Sequence, residues 1–224
     1  MATRSTRLGG LVRRLRLRRS GYREFIRGEG NIIQTDGALL SNVHVDIQGE
    51  RNRILIGAGC KLYNLTFHLR GSDQVVEIGP GCRVTRGGQF WLEDDRCELR
   101  IGREASMVEA HLAVTEPGSK LVIGEECMLA NDIDVRTGDS HSILEVSTGR
   151  RLNFAEDVSI GRHVWVASHV VILKGVSIGA DSVVAAGSIV TQSCPPGSLL
   201  AGNPARVIKS GISWNRERIT KSEA

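Results

Sequence analysis

The chain has 224 residues, with 29 basic and 25 acidic side chains, 26 Gly, five Cys and aromatics at only 4%. No apolar run is long enough to span a bilayer, and no apolar signal-peptide core follows the start. The formal charge of +4 is local, because residues 1–19 hold seven Arg and no acid. The remaining 22 bases face 25 acids, about −3, so no basic stripe for nucleic acid runs along the body. Five cysteines without paired spacing predict core packing in a reducing, cytoplasmic setting.

Taken in chain order, residues 1–28 form a basic amphipathic N-terminal segment. Leu8, Leu11, Val12 and Leu15 sit at i, i+3, i+4 and i+7, one face of a short helix with Arg13, Arg14 and Arg18 elsewhere on it. Two readings stay open. The helix caps the first rung or packs on a neighbouring subunit, or residues 1–20 lie on an anionic membrane at its inner face.

Residues 29–200 repeat. The dipeptide Ile-Gly recurs at Ile56, Ile78, Ile101, Ile123, Ile160 and Ile178, in successive steps of 22, 23, 22, 37 and 18. From Ile160 the beat is strict: Ile160, Val166, Ile172, Ile178, Val184 and Val190 are aliphatic at every sixth position. Val164, Val170, Val176, Ser182 and Ser188 follow four residues behind, all small or β-branched. Neither a helix nor a two-sided strand has a period of six. A coil of short parallel strands does, with three hexads to each triangular turn. The steps of 22 and 23 read as such turns with extra residues at one corner, at Gln48–Asn52, Arg70–Asp73 and Glu93–Arg96. The step of 37 reads as two turns plus an excursion through Gly138 to His141, which gives an active-site loop at 137–153. High glycine and few aromatics suit a narrow core. Residues 201–224 form a C-terminal loop and tail, with a tight turn at Asn203-Pro204 and Trp214 folding back on the coil.

The residues from Asp157 to Gly179, the continuation Val184-Ala-Ala-Gly-Ser-Ile-Val-Thr191 and the closing Ala201-Gly-Asn-Pro-Ala-Arg-Val-Ile-Lys209 resemble the hexapeptide-repeat acyltransferases. Arg136-Thr-Gly-Asp-Ser-His-Ser-Ile143 resembles the active-site loop of the branch that O-acetylates sugars and surface polysaccharides. The resemblance implies an all-β fold, a single left-handed parallel β-helix, assembled as a homotrimer. It also implies acetyl-CoA as donor in the groove between subunits, with no metal. Sequence physics alone would favour right-handed crossovers.

On that resemblance His141 is the general base that takes the proton of a sugar hydroxyl, with direct transfer in a ternary complex. An imidazole suits this, since it titrates near pH ~6.5 and such a base typically gives ~10²–10⁴-fold in rate. Asp139 orients the imidazole or forms a turn. Residues three hexads apart stack, so Ser168 lies over Ala186 and Ala167 over Ala185. A linear pantetheine arm running parallel to the axis would meet Ser168, Ala185 and Ala186 in succession, with Trp165 walling its acyl end. Thr191 and Arg206 match positions near the nucleotide end, Arg206 and Lys209 suit phosphates, and Lys174 reaches a phosphate or is simply solvated. Arg136 lines the acceptor pocket, and Asn131 lines it too or merely makes a corner. Gln192 and Ala167 depart from the lysine and glycine common in relatives.

The acceptor is a glycan hydroxyl or, alternatively, the amine of a nucleotide-linked amino sugar. A non-catalytic scaffold is the remaining reading. A zinc hydrase with three histidines is disfavoured, since His163 and His169 are six residues apart and fall on different faces.

Overall fold

The computed structural model of the protein describes residues 20–220. The basic amphipathic helix, and with it the membrane and packing readings of residues 1–20, falls almost wholly outside the described residues. Among the described residues every regular element is a strand, and no helix is long and apolar enough to cross a membrane. The chain winds into a parallel β-helix of about eight turns, consistent with the left-handed coil of the hexapeptide-repeat class.

Each turn contributes strands to three flat faces. The third face is a seven-stranded sheet running from Ile32–Gln34 to Ser177–Ile178, with every pairing parallel. The first face ends in Met128–Leu129, Trp165–Val166, Val183–Val184 and Ser198–Gly202. The second begins at Arg23–Arg27 and ends in Ile133–Arg136, Val171–Ile172 and Ile189–Val190. In the hexad region partners are three hexads apart, as in Trp165↔Val183 and Val171↔Ile189. The aliphatic beat points inward: Ile160, Val166, Ile172, Ile178, Val184 and Val190 are all buried, as are Val164, Val170 and Val176. The buried Ser182 and Ser188 are satisfied by the backbone N–H groups of Ser198 (3.1 Å) and Gly202 (3.2 Å). All five cysteines are free and buried. Cys60, Cys82 and Cys127 donate to the carbonyls of Gly79, Gly102 and Gly161, which lie on the next turn's Ile-Gly steps.

Three expectations need correction. The coil starts before residue 29, because Arg23–Arg27 pairs along its whole length with His44–Gln48. The step of 37 is one turn, not two, because Met128 pairs directly with Trp165 and Asp134 with Val171. The extra length is a single insertion at the corner between the second and third faces. The coil also runs past residue 200: Ser198–Gly202 continues the first face, then turns through a cis Asn203–Pro204 bond into Ala205–Ser210, which pairs with it antiparallel.

Two turns differ from the rest. Strands Arg83–Glu93 and Ser106–Thr115 run unbroken from the first face into the second, so the corner there is flattened. Gly87 and Gly88 permit this. A Cβ on Gly88 would stand 1.9 Å from the Ala110 carbonyl oxygen and one on Gly87 2.2 Å from that of Asn64, both at positive φ. The result is a trough of ≈550 Å³ lined by Asn64, Thr66, Arg86, Gln89, Glu109 and His111.

Candidate active site

The insertion leaves the coil at Thr137 and returns at Asp157, and both ends are tied to the turn below. The buried Thr137 hydroxyl accepts from Thr115 N–H (3.0 Å), and Asp157 accepts from Lys120 N–H (2.8 Å). Between them the chain forms a short antiparallel hairpin, with Leu152 N–H on Ile143 O (2.8 Å) and Glu145 N–H on Arg150 O (2.8 Å).

His141 sits at the base of this hairpin. Its backbone is fixed by Asn153, whose Nδ2 donates to His141 O (2.8 Å) and Asp139 Oδ2 (2.8 Å), while its Oδ1 accepts from Ile143 N–H (2.7 Å). Asn153 is buried at 7% exposure, so this junction is shielded from competing water. The His141 residue itself is exposed, at the rim of a ≈230 Å³ cavity bounded by Glu93, Thr115, Glu116, Asp139 and Arg151. Arg151 pairs with Glu116 and lies 4.9 Å over the Phe154 ring.

Rather than the imidazole, Asp139 engages Lys174, whose Nζ stands 2.6 Å from its Oδ2, and Asn153. The Lys174 ammonium, helped by the Asn153 amide, holds the Asp139 carboxyl below the usual carboxylate range. Lys174, expected at a cofactor phosphate, is therefore committed to the foot of the loop. Together these contacts fix the backbone at the foot of the loop that carries His141.

The remaining expected residues are spread over the coil. Ser168 Oγ donates to Asn131 Oδ1 (2.7 Å) and Ser168 O accepts from Gly187 N–H (2.9 Å), so Asn131, Ser168 and Ala186 form a column of three turns at the corner between the first and second faces. Ala185 sits beside it with its N–H on Leu200 O (2.9 Å). Trp165 is half-buried on the first face between Met128 and Val183. Its ring lies 6.1 Å from that of Trp214. Trp214 donates Nε1–H to His163 O (2.7 Å) and stacks on the His163 ring at 4.3 Å, so the tail folds back on the coil. Arg206 and Lys209 are exposed on the last, antiparallel strand, and Thr191 is exposed at the corner that bears the loop. Arg136 faces out from the second face and pairs with Asp134. Burial works to raise the Asp134 carboxyl, but the nearby His111 ring and the hydrogen-bonded Arg136 outweigh it and hold it at about 2.

Within one chain the expected site residues are divided between two corners. His141 stands at the second-to-third corner and the Asn131–Ser168–Ala186 column at the first-to-second corner, with a whole face between them. His163 and His169 also stand at different corners, each 2.8 Å from its own carboxylate, Asp181 and Asp132. Among the described residues no three His, Cys, Asp or Glu side chains are grouped to hold a metal ion.

Residues 157–192 match the family model described as bacterial transferase hexapeptide (six repeats). The chain is 32% identical over 149 residues to a polysialic acid O-acetyltransferase of Neisseria meningitidis, covering 66% of this chain and 68% of that one. The chain belongs to the hexapeptide-repeat acetyltransferases. Another member, the polysialic acid O-acetyltransferase of Escherichia coli O1:K1, is 35% identical over 116 residues, which span 52% of this chain and 38% of that protein. Among solved structures, the polysialic acid O-acetyltransferase OatWY superposes with a TM-score of 0.83 at 30% identity, covering 89% of this chain and 93% of that one. The polySia-specific acetyltransferase NeuO gives 0.78 at 30% identity, covering 90% and 92%.

Within this hexapeptide-repeat acetyltransferase, sequence reasoning missed Asn153, the residue that pins His141. An Asn twelve residues beyond a loop His carries no spacing signal of its own. It becomes visible only once the hairpin brings the two ends of the loop together.

Proposed function

We propose that the protein transfers an acetyl group from acetyl-CoA to a hydroxyl of a sugar polymer. The observation that carries this reading is His141, held by a buried Asn on the long insertion of a fold whose relatives are O-acetyltransferases. The imidazole takes the hydroxyl proton as the new C–O bond forms, and returns it to the departing thiolate as the thioester C–S bond breaks. No covalent enzyme intermediate is needed. Asn153 and the Lys174–Asp139 pair keep the base in register with the acceptor, which is where most of the positioning advantage resides.

The small-residue column of Asn131, Ser168 and Ala186, with Trp165 beside it, suits the donor. Small side chains let backbone amides approach a long linear arm, and Arg206 and Lys209 lie beyond the last turn, where phosphates would fall. Because the column and His141 occupy different corners, the complete site is formed between copies in a homotrimer. The outward Val171, Leu173 and Ile189 on the second face, and the exposed Ile143, Leu144, Val146 and Leu152 of the hairpin, suit such contacts. The basic residues 1–20 would add a peripheral contact with anionic membranes.

Calorimetric titration with CoA and acetyl-CoA tests the donor assignment, comparing wild type with His141→Ala. Binding retained in the variant with turnover lost supports the reading; no binding by folded wild type overturns it. A mixing experiment tests the shared site. His141→Ala and Ala186→Trp, each inactive alone, should recover activity at about a quarter of the sites when co-assembled at equal ratio. Recovery at no site would place both halves in one subunit. Unchanged vesicle binding after removal of residues 1–20 would end the membrane reading.

A further inference from the structure

The second face carries a row of outward side chains that neither the fold nor the base requires. In register across successive turns stand Thr66, Gln89, His111 and Asp134; then His68, Trp91, Ala113 and Arg136; then Arg70, Glu93 and Thr115. The first row opens into the ≈550 Å³ trough, and the third row borders the His141 cavity through Glu93 and Thr115. Gln89 and Glu93 are four residues apart on one strand, which places the trough and the cavity about 13 Å apart across the face.

Trp91 stands between them. Its ring packs against His68 at 4.9 Å, and its Nε1–H donates to Glu93 (3.1 Å). Ala113, the next residue along the row, is small and buried beside Trp91 and Arg136. Two carboxylates of this face are paired within it, Asp46 with Arg70 and Asp134 with Arg136. In the trough Arg86 and Glu109 have no side-chain partner among the described residues, and Thr66, Gln89 and His111 offer hydroxyl, amide and imidazole groups. An amphipathic ring flanked by paired charges and neutral hydrogen-bonding groups is the set that receives a sugar: one apolar face for the C–H side of the ring and polar partners for its hydroxyls. The polar stretch ends at Asp134 and Arg136, and beyond it the same face turns apolar at Val171 and Ile189, so the rows are separated from the surface best suited to subunit contact.

We infer that the second face is an acceptor platform on which a linear glycan lies from the trough at Gln89 and His111, across Trp91, to the His141 cavity. This rests on the transferase reading above for the reacting end, while glycan binding by the platform does not. The enzyme would then prefer acceptors long enough to reach the trough, and Trp91 and Gln89 would be specificity residues for chain length.

The test uses the full-length protein with oligosialic acids and malto-oligosaccharides, each as monomer, trimer and hexamer. Acetyl transfer is followed at saturating acetyl-CoA, and glycan binding is followed without donor by calorimetry. In wild type, kcat/KM should rise with acceptor length in at least one series. Trp91→Ala should lower the hexamer value about tenfold or more and the monomer value less than about twofold. Gln89→Ala, on an exposed side chain that folding does not need, should shift the same ratio in the same direction, and Trp91→Phe should restore most of it. Length-independent turnover in wild type, or equal loss on monomer and hexamer in both variants, overturns the platform. If wild type transfers nothing yet binds hexamers in a Trp91-dependent way, the platform stands and the transferase reading falls. No hexamer binding in either series overturns the platform whatever the donor result.

Discussion

The two halves of the coil share one core and differ in how they turn. From Val158 onward the strands are mostly two or three residues long and repeat every three hexads. Upstream, strands reach 11 residues and partners lie further apart along the chain, as in Ile32↔Arg53 and Thr66↔Gln89. The core there takes larger side chains, with Phe67 and Phe90 edge-on at 5.5 Å. Regular turns place identical backbone positions one above another, which suits a long ligand that repeats its contacts along the axis. Irregular turns devote residues to widened faces and a flattened corner, which suits a ligand needing varied side chains. The proposed donor column at Ser168 and Ala186 and the proposed glycan platform fall on the two halves accordingly.

The largest effect should come from the residue that joins the two halves. His141→Ala should lower kcat by ~10²–10⁴-fold while leaving the dissociation constant of CoA unchanged, by calorimetry and steady-state rates. A loss of CoA binding instead would mean that the loop belongs to the donor half. Next, the wider core upstream should be the more sensitive to truncation. Phe90→Ala should cost about 3–5 kcal/mol, read by denaturant unfolding, against about 0.5–1.5 kcal/mol for Ile172→Val in the narrow half.

Asn153→Ala strands Ile143 N–H and the partners on Asp139 and His141, and should cost about 1–3 kcal/mol. Limited proteolysis should locate the loss within residues 137–157, with the donor half intact. The last effect concerns acid. Asp134, held at about 2 in the fold, has a depressed value, so its contribution is complete above the unfolded value near ~3.9 and is lost as pH falls towards 2. That contribution is about 2 kcal/mol, and Asp134→Asn should remove it and flatten the loss of Tm between pH ~4 and ~2. A variant as acid-sensitive as wild type would assign the slope to other carboxylates.

The hexad half is legible because its geometry is periodic: Ile160 to Val190 can be read to the residue, and the stacking of Ser168 over Ala186 follows from the pairing of Val166 with Val184. The corners at Gln48–Asn52, Arg70–Asp73 and Glu93–Arg96 are legible from turn chemistry, and Arg51, Asp73, Asp94 and Arg96 take the positive φ such turns demand. The long step between Ile123 and Ile160 misleads because a period cannot tell two turns from one turn plus an insertion of similar length. Gly87-Gly88 gives no warning of a flattened corner, since paired glycines signal a turn at least as often. Lys174 reads as a phosphate ligand because its partner, Asp139, is distant in sequence and is brought to it only by the insertion.

The closing hairpin has a consequence for how the molecule keeps to itself. The end of a parallel coil is a row of unpaired amides and carbonyls, a ready template on which another chain could stack and grow a fibre. Ala205–Ser210 covers the last strand of the first face in the opposite direction, and Arg206 and Lys209 place charge along its outer edge. An antiparallel lid cannot propagate a parallel register, so the hairpin serves as a stopper against end-to-end polymerisation as well as a finish to the fold.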